Sequence, residues 1–126
     1  MLSFDGNTAA YLLYTVARIR SLLKKCSGHI ISSGASTLST DSERTLARKL
    51  TYFPIALSQA ISDLRPHHLC TYLFELTCEY SVFYNNDRII GVDDDVMARR
   101  IMMTERTLMI LEIGMRLLGL ETLERM

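Results

Sequence analysis

Apolar residues in this chain recur at steps of three and four, and nowhere do they alternate with period two over a useful length. That pattern leaves helix packed on helix as the architecture the chain can build. Asn7 and Thr8 can cap a first helix whose apolar positions run through Tyr11, Leu12, Tyr14, Ile19 and Leu22, and Ser27-Gly28 should stop it near Lys25. Residues 28 to 40 are rich in Ser, Thr and Gly and lack helical periodicity, so a flexible loop is expected at about 26–40. Thr40 or Asp41 caps a second helix with Leu46 and Leu50 on one side and Arg44, Arg48 and Lys49 on the other. Pro54 and Pro66 each suit a first helical turn, so a third helix over Phe53 to Ser62, built on Ile55, Leu57, Ala60 and Ile61, precedes a fourth through Leu69, Leu73, Leu76, Tyr80 and Phe83. Asn85-Asn86-Asp87 and Gly91 carry turn chemistry, and Asp93-Asp94-Asp95 places negative charge at the start of a last helix ending near Leu118, before Gly119. The expected fold is all-α: a bundle of about five helices forming one domain over 1–126.

At 126 residues, 48% of them apolar and 22% charged, the chain can bury a core without metal or disulfide support. It contains no apolar run of the roughly 18 to 20 residues that a membrane span needs, and its first residues lack a secretory signal, so a cytosolic or organelle-interior protein is the default. Cys26, Cys70 and Cys78 match neither metal knuckles nor a disulfide framework; Cys70 and Cys78 fall in an apolar helical pattern and read as small hydrophobes.

The formal net charge is zero, which at first argues against a polyanionic partner. The average hides an asymmetry. Residues 1–50 carry seven basic side chains against three acidic ones, and residues 51–126 carry seven against eleven. Such a division between halves hints at a polyanionic partner, although a solvated helix face accounts for such runs more often than not.

Chemistry is harder to find. His67 and His68 are adjacent, so on a helix they point about a hundred degrees apart and do not form a metal-binding i, i+4 pair. The Asp93–Asp95 run lacks the calcium-loop pattern, no Gly-rich phosphate loop or nucleophile elbow is present, and Glu75 with Glu79 reads as a solvated like-charge pair. No catalytic set and no metal or cofactor site is expected in this domain.

Tyr11-Leu12-Leu13-Tyr14-Thr15-Val16-Ala17-Arg18 resembles the Tyr-Leu-x-Tyr-x-x-x-Arg helix of arginyl-tRNA synthetases. Leu46 through Pro54, Asp63 through Leu76, Phe83-Tyr84 and the terminal Leu117 through Met126 are similar to later blocks of the same family, in the same order and spacing. The resemblance implies the all-helical anticodon-binding domain, often called the DALR domain, of a class I synthetase. It implies arginine tRNA and a separate catalytic domain as partners, with ATP bound in that domain, no membrane partner, and a monomer. By that resemblance Tyr11, Tyr14, Arg18, Tyr84 and Met126 match positions shaping the anticodon pocket, and Arg44, Arg48 and Lys49 are weaker candidates for phosphate contacts. The physics agrees: three- and four-residue spacing puts Tyr11, Tyr14 and Arg18 on one helix face, and a base stacked on tyrosine contributes on the order of 1 to 3 kcal/mol. Spacing alone favours the core for both tyrosines, and only the resemblance reverses that reading. An appended C-terminal tag is expected to weaken binding if Met126 takes part. The ATP- and arginine-binding signatures of the class are absent from these 126 residues.

A second reading is a protein-interaction bundle that docks on a synthetase body or another helical partner, using Met97, Met102, Met103 and Met109 as an adaptable surface, although core packing accounts for methionines as well. Tyrosines converging on an exposed basic surface favour RNA; buried tyrosines beside an exposed Met stripe favour the protein partner.

Overall fold

The computed structural model describes residues 6–26 and 37–119. They form five helices: α1 (Gly6–Lys25), α2 (Asp41–Thr51), α3 (Phe53–Ser62), α4 (Pro66–Asn86) and α5 (Asp94–Leu117), with no strand among the described residues. Most of the expected loop, 27–36, lies outside them.

Local chemistry sets the boundaries. Thr40 is the α2 N-cap: its hydroxyl accepts from the Glu43 amide at 3.0 Å, and the Glu43 carboxylate accepts from the Thr40 amide at 3.0 Å, a complete capping box. Tyr52 ends α2 and begins α3, with Pro54 in the new first turn, where its missing N–H costs nothing. Pro66 opens α4 in the same way. Asn85 and Asn86, expected in a turn, prolong α4 by two residues, and the chain reverses through Gly91 at φ +88°.

The centre of the bundle is α4, which packs against each of the other four helices, whereas α3 makes substantial contact only with α2 and α4. The core joins Leu12, Val16 and Ile19 of α1 to Leu46 of α2, Leu73, Leu76, Tyr80 and Phe83 of α4, and Leu111 and Met115 of α5. Gly114 lets α5 approach α4 closely, since a Cβ there would lie 2.7 Å from both Leu73 methyl carbons. In α3 the expectation holds for Ala60, which is buried, and for Leu57, which packs against the core, but not for Ile55 and Ile61, which are exposed; Ala56 turns inward instead, because small side chains let this peripheral helix lie close to its neighbours. Cys70 is buried as expected; Cys78 is exposed.

A charged cluster is sealed inside this apolar frame. Glu43 is fully buried, and one of its carboxylate oxygens accepts from Arg99 Nε at 3.0 Å and Arg100 Nε at 2.9 Å. The other accepts from the Ser39 and Thr40 amides and the Ser39 hydroxyl. Burial alone would raise the Glu43 pKa, but Arg100, the two amides and Arg99 outweigh it and hold the carboxyl at about 2. Asp87 extends the cluster by accepting from Thr40 Oγ1 at 2.8 Å and lying 3.8 Å from Arg100 Nη2. No buried side-chain nitrogen or oxygen among the described residues lacks a hydrogen-bond partner.

Candidate nucleic-acid interface

The exposed edge where α1 crosses the end of α4 is built from three side chains. Tyr14 is 55% exposed and Tyr84 is 41% exposed, against the usual rule that aromatic rings retreat from water. Arg18 joins them: its guanidinium carbon is 4.5 Å from the Tyr84 ring centroid and 5.6 Å from that of Tyr14, within cation–π range of both. No carboxylate among the described residues pairs with Arg18. Behind Tyr84 stands the buried Tyr80, 6.2 Å away between centroids, whose phenol is pushed up to about 12, chiefly by burial, and so stays neutral. Stacking surface and a positive charge therefore face solvent together on a rigid base, the combination that single-stranded nucleic acid requires.

The other residues singled out by sequence are placed differently. Tyr11 shares the α1 face but is only partly exposed: its ring packs on Phe74 at 5.7 Å and its hydroxyl is 3.2 Å from Ser81 Oγ. It braces α1 against α4 one turn below Tyr14. Arg44, Arg48 and Lys49 are on α2, which also packs on α4 but makes no substantial contact with α1. Arg44 bonds Asp41 at 2.9 Å and the Leu38 carbonyl, and Lys49 bonds Glu75 at 2.6 Å while lying over the Tyr72 ring. Arg48 is exposed and carries no ion pair among the described residues, which leaves it the most available of the three. Met126 lies outside the described residues.

Beside Tyr84 the structure adds a feature that sequence did not single out. A mostly polar hollow of about 370 Å³ lies between Leu22 of α1 and the end of α4, lined by Asn85, Asn86, Asp87, Arg88 and Ile89, with the Asp87 carboxylate engaged by Thr40 and Arg100. Its floor is pinned from below, since Arg100 Nη1 donates to the Arg88 carbonyl at 2.6 Å. Thr40 was one of the two N-cap residues that the sequence offered; the pairing of Glu43 with two adjacent arginines of α5 was not legible, because nothing local to Arg99-Arg100 distinguishes buried from solvated guanidinium groups.

On another face, α5 and the α2–α3 junction enclose an apolar groove of about 580 Å³, lined in part by Leu50, Phe53, Pro54, Met102, Met109 and Ile113. The methionine set divides: Met97 and Met103 belong to the core, and Met102 and Met109 are exposed in or beside this groove. Exposed tyrosines and an exposed Met surface thus coexist, on separate faces. No group of three His, Cys, Asp or Glu among the described residues could hold a metal ion, and no described helix is long and apolar enough to cross a membrane.

Residues 12–126 match the model of the DALR anticodon binding domain. Over its whole length the chain is 40% identical to an arginine-tRNA ligase of a Marinomonas species and 39% identical to that of Shewanella putrefaciens, spanning 22% of the length of each. The fold is similar to part of the arginyl-tRNA synthetase of Thermus thermophilus, with a TM-score of 0.85 at 28% identity over 98% of this chain and 22% of that one.

Proposed function

The chain belongs to the DALR anticodon-binding domain family, and we propose that it receives the anticodon stem and loop of arginine tRNA as the tRNA-recognition module of a larger synthetase. The observation that carries this reading is the guanidinium of Arg18 held between the exposed rings of Tyr14 and Tyr84. Unpaired loop bases can stack on the tyrosine faces, while Arg18 meets a phosphate or a base edge without first breaking an ion pair. Tyr11 then acts by positioning α1, and Arg48 is the α2 residue best placed to reach the backbone of the stem. Activation of arginine with ATP is assigned to the part of the relatives that this chain does not span.

A titration with anticodon stem-loops at two salt concentrations tests the reading. Binding should weaken with salt, as counterion release demands, and should fall when the central anticodon base is changed. Equal affinity for every loop sequence would reduce the interaction to nonspecific attraction and overturn it.

The groove at the α2–α3 junction supports a second, compatible role. The relatives are several times longer than this chain, and an apolar surface bearing Phe53, Met102, Met109 and Ile113 suits the synthetase body, which such a module must adjoin. Met109→Asp in an intact synthetase should loosen that attachment, read as faster proteolysis of the domain junction, and leave stem-loop affinity unchanged.

A further inference from the structure

We propose that the hollow at the end of α4 is a second nucleotide subsite, holding the residue of the loop that neighbours the one stacked on Tyr14 and Tyr84, with Asn85 on its base edge and Arg88 on its phosphate. This inference rests on the RNA-binding reading above and extends it to side chains that reading does not use.

Four observations lead there. The hollow shares Tyr84 with the Tyr14–Arg18 stack, so a strand leaving the stack enters it directly. Asn85 is exposed and its amide makes no hydrogen bond to a described residue, so a carbonyl acceptor and an NH2 donor are presented together, the pair needed to meet a Watson–Crick edge. Arg88 lines the hollow, is exposed and joins no ion pair among the described residues; its side chain lies along Gly91, with Cδ 3.7 Å and Nη1 3.9 Å from where a Cβ of that residue would be. The floor does not yield when a ligand enters, because the Arg88 carbonyl is tied to Arg100 and Asp87 is buried against Thr40. A phosphate is the natural counterion for Arg88, and Leu22 and Ile89 supply apolar edges for a base plane.

The chain, with Arg88→Gln, Asn85→Ala and Arg18→Ala variants, is titrated with a panel of arginine-tRNA anticodon stem-loops in which each unpaired position is varied, at several salt concentrations. Circular dichroism melts confirm folding, which surface changes at 85 and 88 should leave intact. Arg88→Gln should weaken every loop about 10-fold and lower the salt slope by about 0.7 to 1, the signature of one lost phosphate contact. Asn85→Ala should flatten the preference at one loop position and keep the salt slope. If both variants bind like the parent while Arg18→Ala is weakened, the subsite is wrong and the stacking site stands. If the parent itself binds no stem-loop, the RNA reading falls and the subsite falls with it.

Discussion

Arg18 is useful because no described acid competes for it. Its planar guanidinium can lie flat between two rings, a geometry that the point charge of a lysine does not reproduce. Arg18→Lys should therefore reduce anticodon stem-loop affinity about 10-fold while leaving unfolding free energy within about 0.5 kcal/mol, a split that binding titrations and urea melts read separately. Glu43 shows the opposite economy. Glu43→Gln keeps one acceptor oxygen but removes the charge that two buried guanidinium groups share, and urea unfolding should show a loss of roughly 3 to 5 kcal/mol. The two residues differ equally in how far the sequence disclosed them. The spacing of Tyr11, Tyr14 and Arg18 does place them along one side of α1, as expected. Which of them faces water depends on how α1 is rotated against Phe74 and Ser81, contacts up to 70 residues away that no local pattern encodes.

Helix ends were the most legible part of the fold, because caps and prolines act within a few residues. Thr40, Pro54 and Pro66 all stand where their chemistry predicts. Thr40→Ala should cost about 1 kcal/mol through the lost cap, and more to the extent that its bond to Asp87 also goes, measurable as a lower urea midpoint with an unchanged slope. The inward face of α3 is only half legible, for the reverse reason. Leu57 and Ala60 do turn inward. Ile55 and Ile61 match the core pattern because hydrophobicity is local, but burial follows from what a helix packs on, and α3 has substantial contact with α2 and α4 alone. The crossing of α4 and α5 was equally invisible, since Gly114 reads as a helix-weakening residue until Leu73 is seen against it. Gly114→Ala, a favourable change by helix propensity alone, should instead destabilise by about 1 to 3 kcal/mol as the Leu73 methyls are forced aside, and a thermal melt decides between the two signs.

The Glu43 cluster joins α2, α5 and the segment after α4, so its ionisation state bears on the assembled bundle. Its folded pKa of about 2 lies below the ordinary 4.5, so the ionised form is favoured by folding. That contribution, roughly 3 kcal/mol, is complete above pH 4.5 and disappears as the pH falls from there towards 2. Urea melts across this window should show the decline in the parent chain and a flatter profile in Glu43→Gln. The same arrangement of helices bears on how the molecule assembles. Helices α2, α3 and α4 follow one another closely along the chain and pack mutually, whereas α1 is held by partners far away in sequence, among them the 2.6 Å bond from Arg20 to Glu112. Loop closure of that length is slow relative to local docking. Tyr84 meets Arg18 only where that N-terminal helix is docked, so a chain whose α1 has come away from the bundle keeps one ring of the aromatic pair and loses the guanidinium between them.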